Sequence, residues 1–66
     1  MKNYYVGYMD VINKKDTFII LATTKCPIVA EYIERNYNKD YKAVGMKLKA
    51  VVHTKDTLPQ NHKHST

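Results

Sequence analysis

Cys26 is the first residue whose type and position could support chemistry. It directly precedes Pro27 at the predicted start of a helix, where free backbone amides and the helix dipole favour a thiolate. A catalytic thiol also needs a base, and His53 is the only histidine outside the C-terminal stretch. No signature of a thiol enzyme surrounds Cys26, so we interpret it as a small, part-buried residue at a strand–helix junction.

The pair His62 and His64, separated by Lys63, is the second place where side chains could bind something. Imidazoles are common metal ligands, but structural zinc sites use four ligands. A flexible tail also loses conformational entropy when a metal orders it. We therefore expect no metal site and interpret this stretch as a solvated tail.

The remaining polar residues form no catalytic pattern. The six acidic residues include no evident pair of carboxylates, and Glu31 and Glu34 lie three apart on the predicted exposed side of a helix. Two glycines cannot build a phosphate-binding loop. Ser65 is the only serine, so a serine triad is also excluded. We expect no enzymatic activity, no cofactor and no small-molecule substrate.

The net charge of +5 raises the question of nucleic-acid binding. Ten of the eleven basic residues are lysine, which acts as a point charge, whereas arginine supplies the fork that reads base edges. Lys, Asn, Ile and Tyr make up 26 of the 66 residues, and their codons are AT-rich. Codon bias therefore explains part of the lysine excess, and we give the charge little weight.

Chain length and cysteine usage limit the class of protein. Sixty-six residues form one small domain, and a domain of this size is marginally stable without a staple or a partner. A single cysteine excludes an intramolecular disulfide and fits a reducing compartment. The sequence contains neither a signal-peptide pattern nor an apolar run of about 18 residues. We expect a cytoplasmic protein that does not contact membranes.

Hydrophobic patterning predicts a hairpin followed by a helix. Residues 4–12 are rich in Tyr and β-branched side chains and predict a strand. The polar break 13–16 predicts a type I-like turn. Residues 17–23, apolar on both faces, predict a central strand. A helix is predicted over about 27–37, and its apolar stripe comprises Ile28, Val29, Tyr32, Ile33 and Tyr37.

Residues 40–54 fit two templates. Apolar residues alternate from Val44 to Val52, with Lys47 and Lys49 on the opposite face, which favours a half-buried strand. A helical stripe also fits, but Gly45 disfavours it. We predict a strand, with a helix as the alternative. Residues 1–58 then form the domain, and residues 59–66 are predicted to be a flexible polar tail.

The predicted fold is a small single α+β domain of ββαβ order, with a three-stranded sheet and one helix on one face. The third strand runs parallel to the second and lies beside either the second or the first. The apolar character of the second strand on both faces favours a position beside the second. No motif identifies a family.

Such a sheet leaves one face uncovered, and an apolar patch of this kind usually marks an interaction site. We therefore predict a non-enzymatic interaction protein that binds a larger protein or itself as a homodimer, a small modulator or inhibitor of the kind that phages and mobile elements carry. The predicted partner-binding residues are Tyr5, Met9, Val11, Ile19 and Leu21. The alternative is a basic nucleic-acid-binding module, in which aromatic rings stack on bases and lysines neutralise phosphates, using Tyr4, Tyr8, Lys47 and Lys49.

Overall fold

The computed structural model describes residues 2–41 and 49–65. In chain order the elements are β1 (Tyr4–Ile12), β2 (Lys15–Thr24), α1 (Pro27–Tyr41), β3 (Val51–Thr54) and β4 (His62–His64). The strands form one mixed sheet in the order β3-β1-β2-β4. The α+β prediction is confirmed, with four strands instead of three.

A two-residue turn connects β1 and β2. Asn13 and Lys14 both have positive φ angles, of 53° and 66°. Positive φ at both central positions is typical of a type I′ turn, whose twist matches that of the flanking strands. The hairpin therefore reverses in two residues instead of the predicted four, and β2 starts at Lys15.

A β-bulge changes which side chains share a face of the sheet. Val6 lies opposite Ala22, but Gly7 lies opposite Ile20, so Leu21 is an extra residue on β2. A one-residue shift moves every later side chain to the other face. Phe18 and Ile20 therefore lie on the same face as Gly7, while Ala22 lies on the opposite face with Val6. The predicted grouping of Phe18, Ile20 and Ala22 is wrong.

Gly7 is required where the two strands approach each other at the bulge. A Cβ atom built on Gly7 would lie 2.0 Å from the carbonyl oxygen of Ile19 and 2.9 Å from Cζ of Phe18. Because Gly7 has no side chain, the Phe18 ring lies across it. That ring also contacts His53 edge to face, at a centroid distance of 4.9 Å.

The helix α1 packs on the sheet face that carries Tyr4, Val6 and Tyr8, here called the helix-side face. Val6, Ala30 and Ala50 are fully buried between them, and the partly buried side chains around this core are those of Tyr4, Ile33, Tyr37 and Val52. The small side chain of Ala30 lets the helix approach the sheet closely. None of the helices among the described residues is long and apolar enough to cross a membrane.

The third strand lies beside β1, where Val52 pairs with Val6 in an antiparallel ladder. The predicted position beside β2 is therefore wrong, because that edge is occupied by β4. Asn38 fixes the start of β3: its side-chain amide donates to the Ala50 carbonyl at 3.0 Å and accepts from the Ala50 N–H at 2.7 Å. Of the predicted strand at residues 40–54, residues 51–54 form β3, residues 40–41 belong instead to α1, and residues 42–48 lie outside the described part of the chain.

The C-terminal stretch joins the sheet instead of forming a tail. His62, Lys63 and His64 pair in parallel with Phe18, Ile19 and Ile20. Backbone bonds from Phe18 N–H to Asn61 O and from Ser65 N–H to Ile20 O, both 2.8 Å long, extend this ladder. Residues 59–66 were predicted to be a flexible tail, and the prediction missed β4 because a three-residue polar edge strand has no apolar alternation.

Residues 55–61 cross the sheet, because β3 and β4 lie on opposite edges. The connection from β2 through α1 to β3 runs in the opposite direction along the sheet. Connections between parallel strands of one sheet are almost always right-handed. Two right-handed connections that run in opposite directions along the sheet must therefore cross opposite faces of it. The segment 55–61 is therefore placed on the face opposite to α1, here called the far face, which carries Tyr5, Gly7, Met9 and Val11.

Candidate interaction surface

The far face is not bare. Phe18 and Ile20 point to this face and are 0% and 2% exposed. The Phe18 ring lies between Gly7 and His53, and the imidazole Nδ1 of His53 lies 3.1 Å from the Thr57 hydroxyl of the crossing segment. The expectation of a three-stranded sheet with one fully uncovered face is therefore wrong.

The five predicted partner-binding residues do not form one patch. Tyr5, Met9 and Val11 share the far face of β1; Tyr5 is half-buried, whereas Met9 and Val11 are 39% and 64% exposed. Ile19 pairs with Tyr8 and therefore points to the helix-side face, where it is buried. Leu21 is the extra residue of the bulge and is half-buried. The register of the bulge places Ile19 on the opposite face from Tyr5, Met9 and Val11.

The residues of the nucleic-acid alternative are also separated. Tyr4 packs against the Val6 core. Tyr8 stacks on Tyr37 of α1, with a centroid distance of 6.1 Å and an interplanar angle of 12°. Both rings therefore contact the protein on the helix-side face. Lys49 is exposed, and Lys47 lies outside the described residues.

The stacked pair Tyr8 and Tyr37 has an electrostatic consequence. Desolvation by burial raises the pKa of Tyr37 above its ordinary value of 10.0, and the charge of Tyr8 raises it further. Burial disfavours the phenolate because the charged oxygen loses hydration. The Tyr37 phenol is therefore a packing element that remains neutral at physiological pH.

The outer side of α1 carries the apolar surface that sequence patterning did not predict. Ile28 is 75% exposed, Tyr32 is 67% exposed and Val29 is 44% exposed. The predicted stripe placed all three against the sheet. The helix instead uses Ala30, Ile33 and Tyr37 for its packing, which turns the bulkier residues of its first two turns outward. This outward set, Ile28, Val29 and Tyr32, is here called the outer helix patch.

Charged residues of both signs border the outer helix patch. Arg35 Nη2 lies 2.9 Å from Glu31 Oε1 in an i, i+4 ion pair whose side chains are largely exposed. Exposed pairs of this kind contribute little to stability. A shallow groove of about 150 Å³ lies between these two side chains and those of Ile28 and Tyr32. The groove is therefore apolar along one side and carries an exposed ion pair along the other.

The helix start explains the position of Cys26. The Cys26 carbonyl accepts the first helical bond, from Ala30 N–H at 3.1 Å, and Cys26 N–H donates to the Thr24 hydroxyl at 3.2 Å. Pro27 follows at the first helical position, where its missing N–H has no helical partner. The thiol is exposed, not part-buried as predicted. His53, the only candidate base that we considered for this thiol, points instead to the far face and contacts Phe18.

Within the described part of the chain, no three His, Cys, Asp or Glu side chains come together as a metal-binding group. A scan against protein-family models finds no match for this chain, and searches of curated proteins and of solved structures find none either.

Proposed function

We propose that this protein is a non-enzymatic interaction protein that binds a second copy of itself through the outer helix patch. The observation that carries the proposal is the exposure of Ile28 and Tyr32, at 75% and 67%. These residues are four apart and so lie on one line of the helix surface. Large apolar side chains grouped on one face typically mark a protein contact.

Charge distribution favours a second copy at this surface. Helix α1 contains three acidic and two basic residues, for a net charge of −1. The rest of the chain therefore has a net charge of +6, since the total is +5. Like charges oppose contact between two copies over most of the surface. Along α1 the acidic and basic charges nearly cancel, so this repulsion is weaker there.

The outer helix patch is also self-complementary. A two-fold axis near Tyr32 would pack two α1 helices antiparallel, with the two Tyr32 rings against each other. Residues whose numbers sum to about 64 then face each other, which brings Glu31 of one copy within one helical turn of Arg35 of the other. The two intramolecular ion pairs, one in each copy, can then exchange for two intermolecular pairs. Such an isologous contact closes as a dimer.

The contact is small, so the dimer should be weak. The outer helix patch spans residues 28–32, about one and a half helical turns or roughly 7 Å. Contacts below the standard interface size are typically transient. We expect a dissociation constant on the order of 100 μM. The exposed free thiol of Cys26 supports the further proposal that the protein works in a reducing, cytoplasmic environment.

Light scattering across a concentration series tests this proposal. The apparent mass should rise from 7.7 kDa towards twice that value as concentration approaches about 1 mM. Tyr32→Glu should hold the mass at the monomer value, because it puts a charge at the centre of the contact. Val11→Glu is the matched control: Val11 is 64% exposed but lies on the far face, so this variant should associate like the wild type.

Charge reversal tests the proposed axis. Glu31→Arg should weaken association because it places two cations opposite each other, and the double variant Glu31→Arg with Arg35→Glu should restore it. A constant monomer mass for the wild type would contradict the proposal. Association that is lost in Val11→Glu but retained in Tyr32→Glu would assign the contact to the sheet instead.

A further inference from the structure

His62 and His64 point to the same side of the sheet. His62 pairs with Phe18 and His64 pairs with Ile20, whereas Lys63 pairs with Ile19. Paired residues in a ladder share a face, so both imidazoles lie on the far face and Lys63 lies on the helix-side face. Alternate residues of a strand are about 6.6 Å apart, a spacing that lets two imidazoles reach one ion. Because β4 is paired with β2, the two histidines are already ordered before an ion binds, which would not be true in a solvated tail.

One hydrogen bond fixes the tautomer of His62. Its Nδ1 lies 2.7 Å from the Pro59 carbonyl oxygen. A carbonyl can only accept, so Nδ1 must carry the proton, and in the neutral ring the lone pair is then on Nε2. Metal-binding histidines typically donate their other ring nitrogen to a backbone carbonyl or carboxylate in this way, which orients the ring. His62 already has this second interaction.

Of the two charged residues placed by the strand pairing beside the pair, the acidic one shares its face and the basic one does not. Lys63, the nearest basic residue in sequence, points to the other face. Asp16 pairs with Val11 and therefore lies on the far face, two residues before Phe18 on the adjacent strand. Both histidines are exposed, so an ion reaches them without any rearrangement of the core.

We propose that His62 and His64 form a two-ligand site for a late first-row divalent ion such as Ni²⁺, Zn²⁺ or Cu²⁺. Imidazole nitrogen suits these ions, whereas Mg²⁺ and Ca²⁺ require oxygen ligands. No third His, Cys, Asp or Glu joins the pair among the residues that the structure describes. The remaining coordination positions are filled by water, and the affinity is correspondingly modest.

Isothermal titration of the full chain with NiCl₂ tests the site. We expect one ion per chain and no heat from MgCl₂, because Mg²⁺ prefers oxygen ligands. His62→Ala and His64→Ala should each weaken binding by about tenfold or more, as loss of a ligand should cost at least as much as loss of its supporting hydrogen bond. Lys63→Ala is the matched control and should bind like the wild type.

A register swap tests the geometry directly. The double variant Lys63→His with His64→Ala keeps two histidines in β4 but places them on opposite faces of the sheet. It should bind Ni²⁺ as weakly as His64→Ala does. All the substituted positions are exposed, and circular dichroism verifies that each variant folds. Wild-type affinity in the register swap would overturn the proposal, and so would absence of Ni²⁺ binding by the wild type.

Discussion

Replacement of Gly7 by alanine should destabilise this protein more than any surface change. The added Cβ would lie 2.0 Å from the Ile19 carbonyl oxygen, where ordinary contact begins at 3.4 Å. The backbones of β1 and β2 would therefore have to separate by about 1.4 Å at the bulge. Overpacking typically costs about 1–3 kcal/mol, and a clash with a backbone carbonyl in a ladder lies at the upper end. We expect a loss of about 3 kcal/mol.

This loss is large in relation to the total. Domains have about 0.05–0.15 kcal/mol of stability per residue, which gives roughly 3–10 kcal/mol for a chain of this length. Gly7→Ala should therefore range from clearly destabilised to largely unfolded at 25 °C. Urea denaturation followed by circular dichroism measures the difference in unfolding free energy. Val11→Ala, an exposed position on the same strand and face, should change it by less than about 0.5 kcal/mol.

A second variant separates the two contacts at Gly7. The Cζ atom of Phe18 is 2.9 Å from the same Cβ position, and Phe18→Leu removes that atom but leaves the carbonyl in place. Phe18→Leu should therefore relieve only a small part of the cost of Gly7→Ala. A cost below about 1 kcal/mol for Gly7→Ala, or full relief by Phe18→Leu, would refute the bulge and the assignment of faces that depends on it.

Three further predictions concern the turn, the start of β3 and a partly buried phenol. Lys14→Gly should stabilise the protein by about 0.5–1 kcal/mol, seen as a higher thermal midpoint, because glycine accepts the positive φ angle at lower cost. Asn38→Ala should cost about 2–4 kcal/mol in a denaturant titration, because it leaves two buried backbone groups of Ala50 unpaired; Asn38→Asp, which keeps the acceptor, should cost less. The raised pKa of Tyr37 means that its contribution to stability is complete below pH 10 and is lost as the pH rises through the folded-state pKa. Absorbance at 295 nm should show a late-titrating phenol that is absent in Tyr37→Phe, and a titration without a late phase would contradict the burial of this ring.

Sequence patterning predicted the hairpin, the helix and the α+β class because these elements have clear periodicity. It did not predict which residue of β2 is extra, because nothing in residues 17–23 distinguishes Leu21 from its neighbours. That single residue decides that Ile19 faces the helix side while Phe18 and Ile20 fill the far face. Gly7 was the one available signal, since a glycine inside a strand often marks a bulge.

The helix and the C-terminus show a second reason for the differences. Helical periodicity depends only on the spacing of apolar residues. By spacing alone, Ile28, Val29 and Tyr32 fit the buried stripe of α1 as well as the residues that pack on the sheet do. Close approach to the sheet favoured the small side chain of Ala30, which rotated the larger side chains outward. Strand β4 is held by backbone hydrogen bonds to β2 and not by its own side chains. Its polar composition therefore led us to predict a tail.

We propose that the outer helix patch, and not the sheet, is the contact surface of this protein. A dilution series of ¹H–¹⁵N correlation spectra from about 1 mM to about 10 μM, a range that brackets the expected dissociation constant, tests it residue by residue. Concentration-dependent shifts should centre on the amides of Ile28, Val29 and Tyr32 and leave those of Met9 and Val11 unchanged. Shifts centred on Met9 and Val11, or spectra that do not change with concentration, would contradict it.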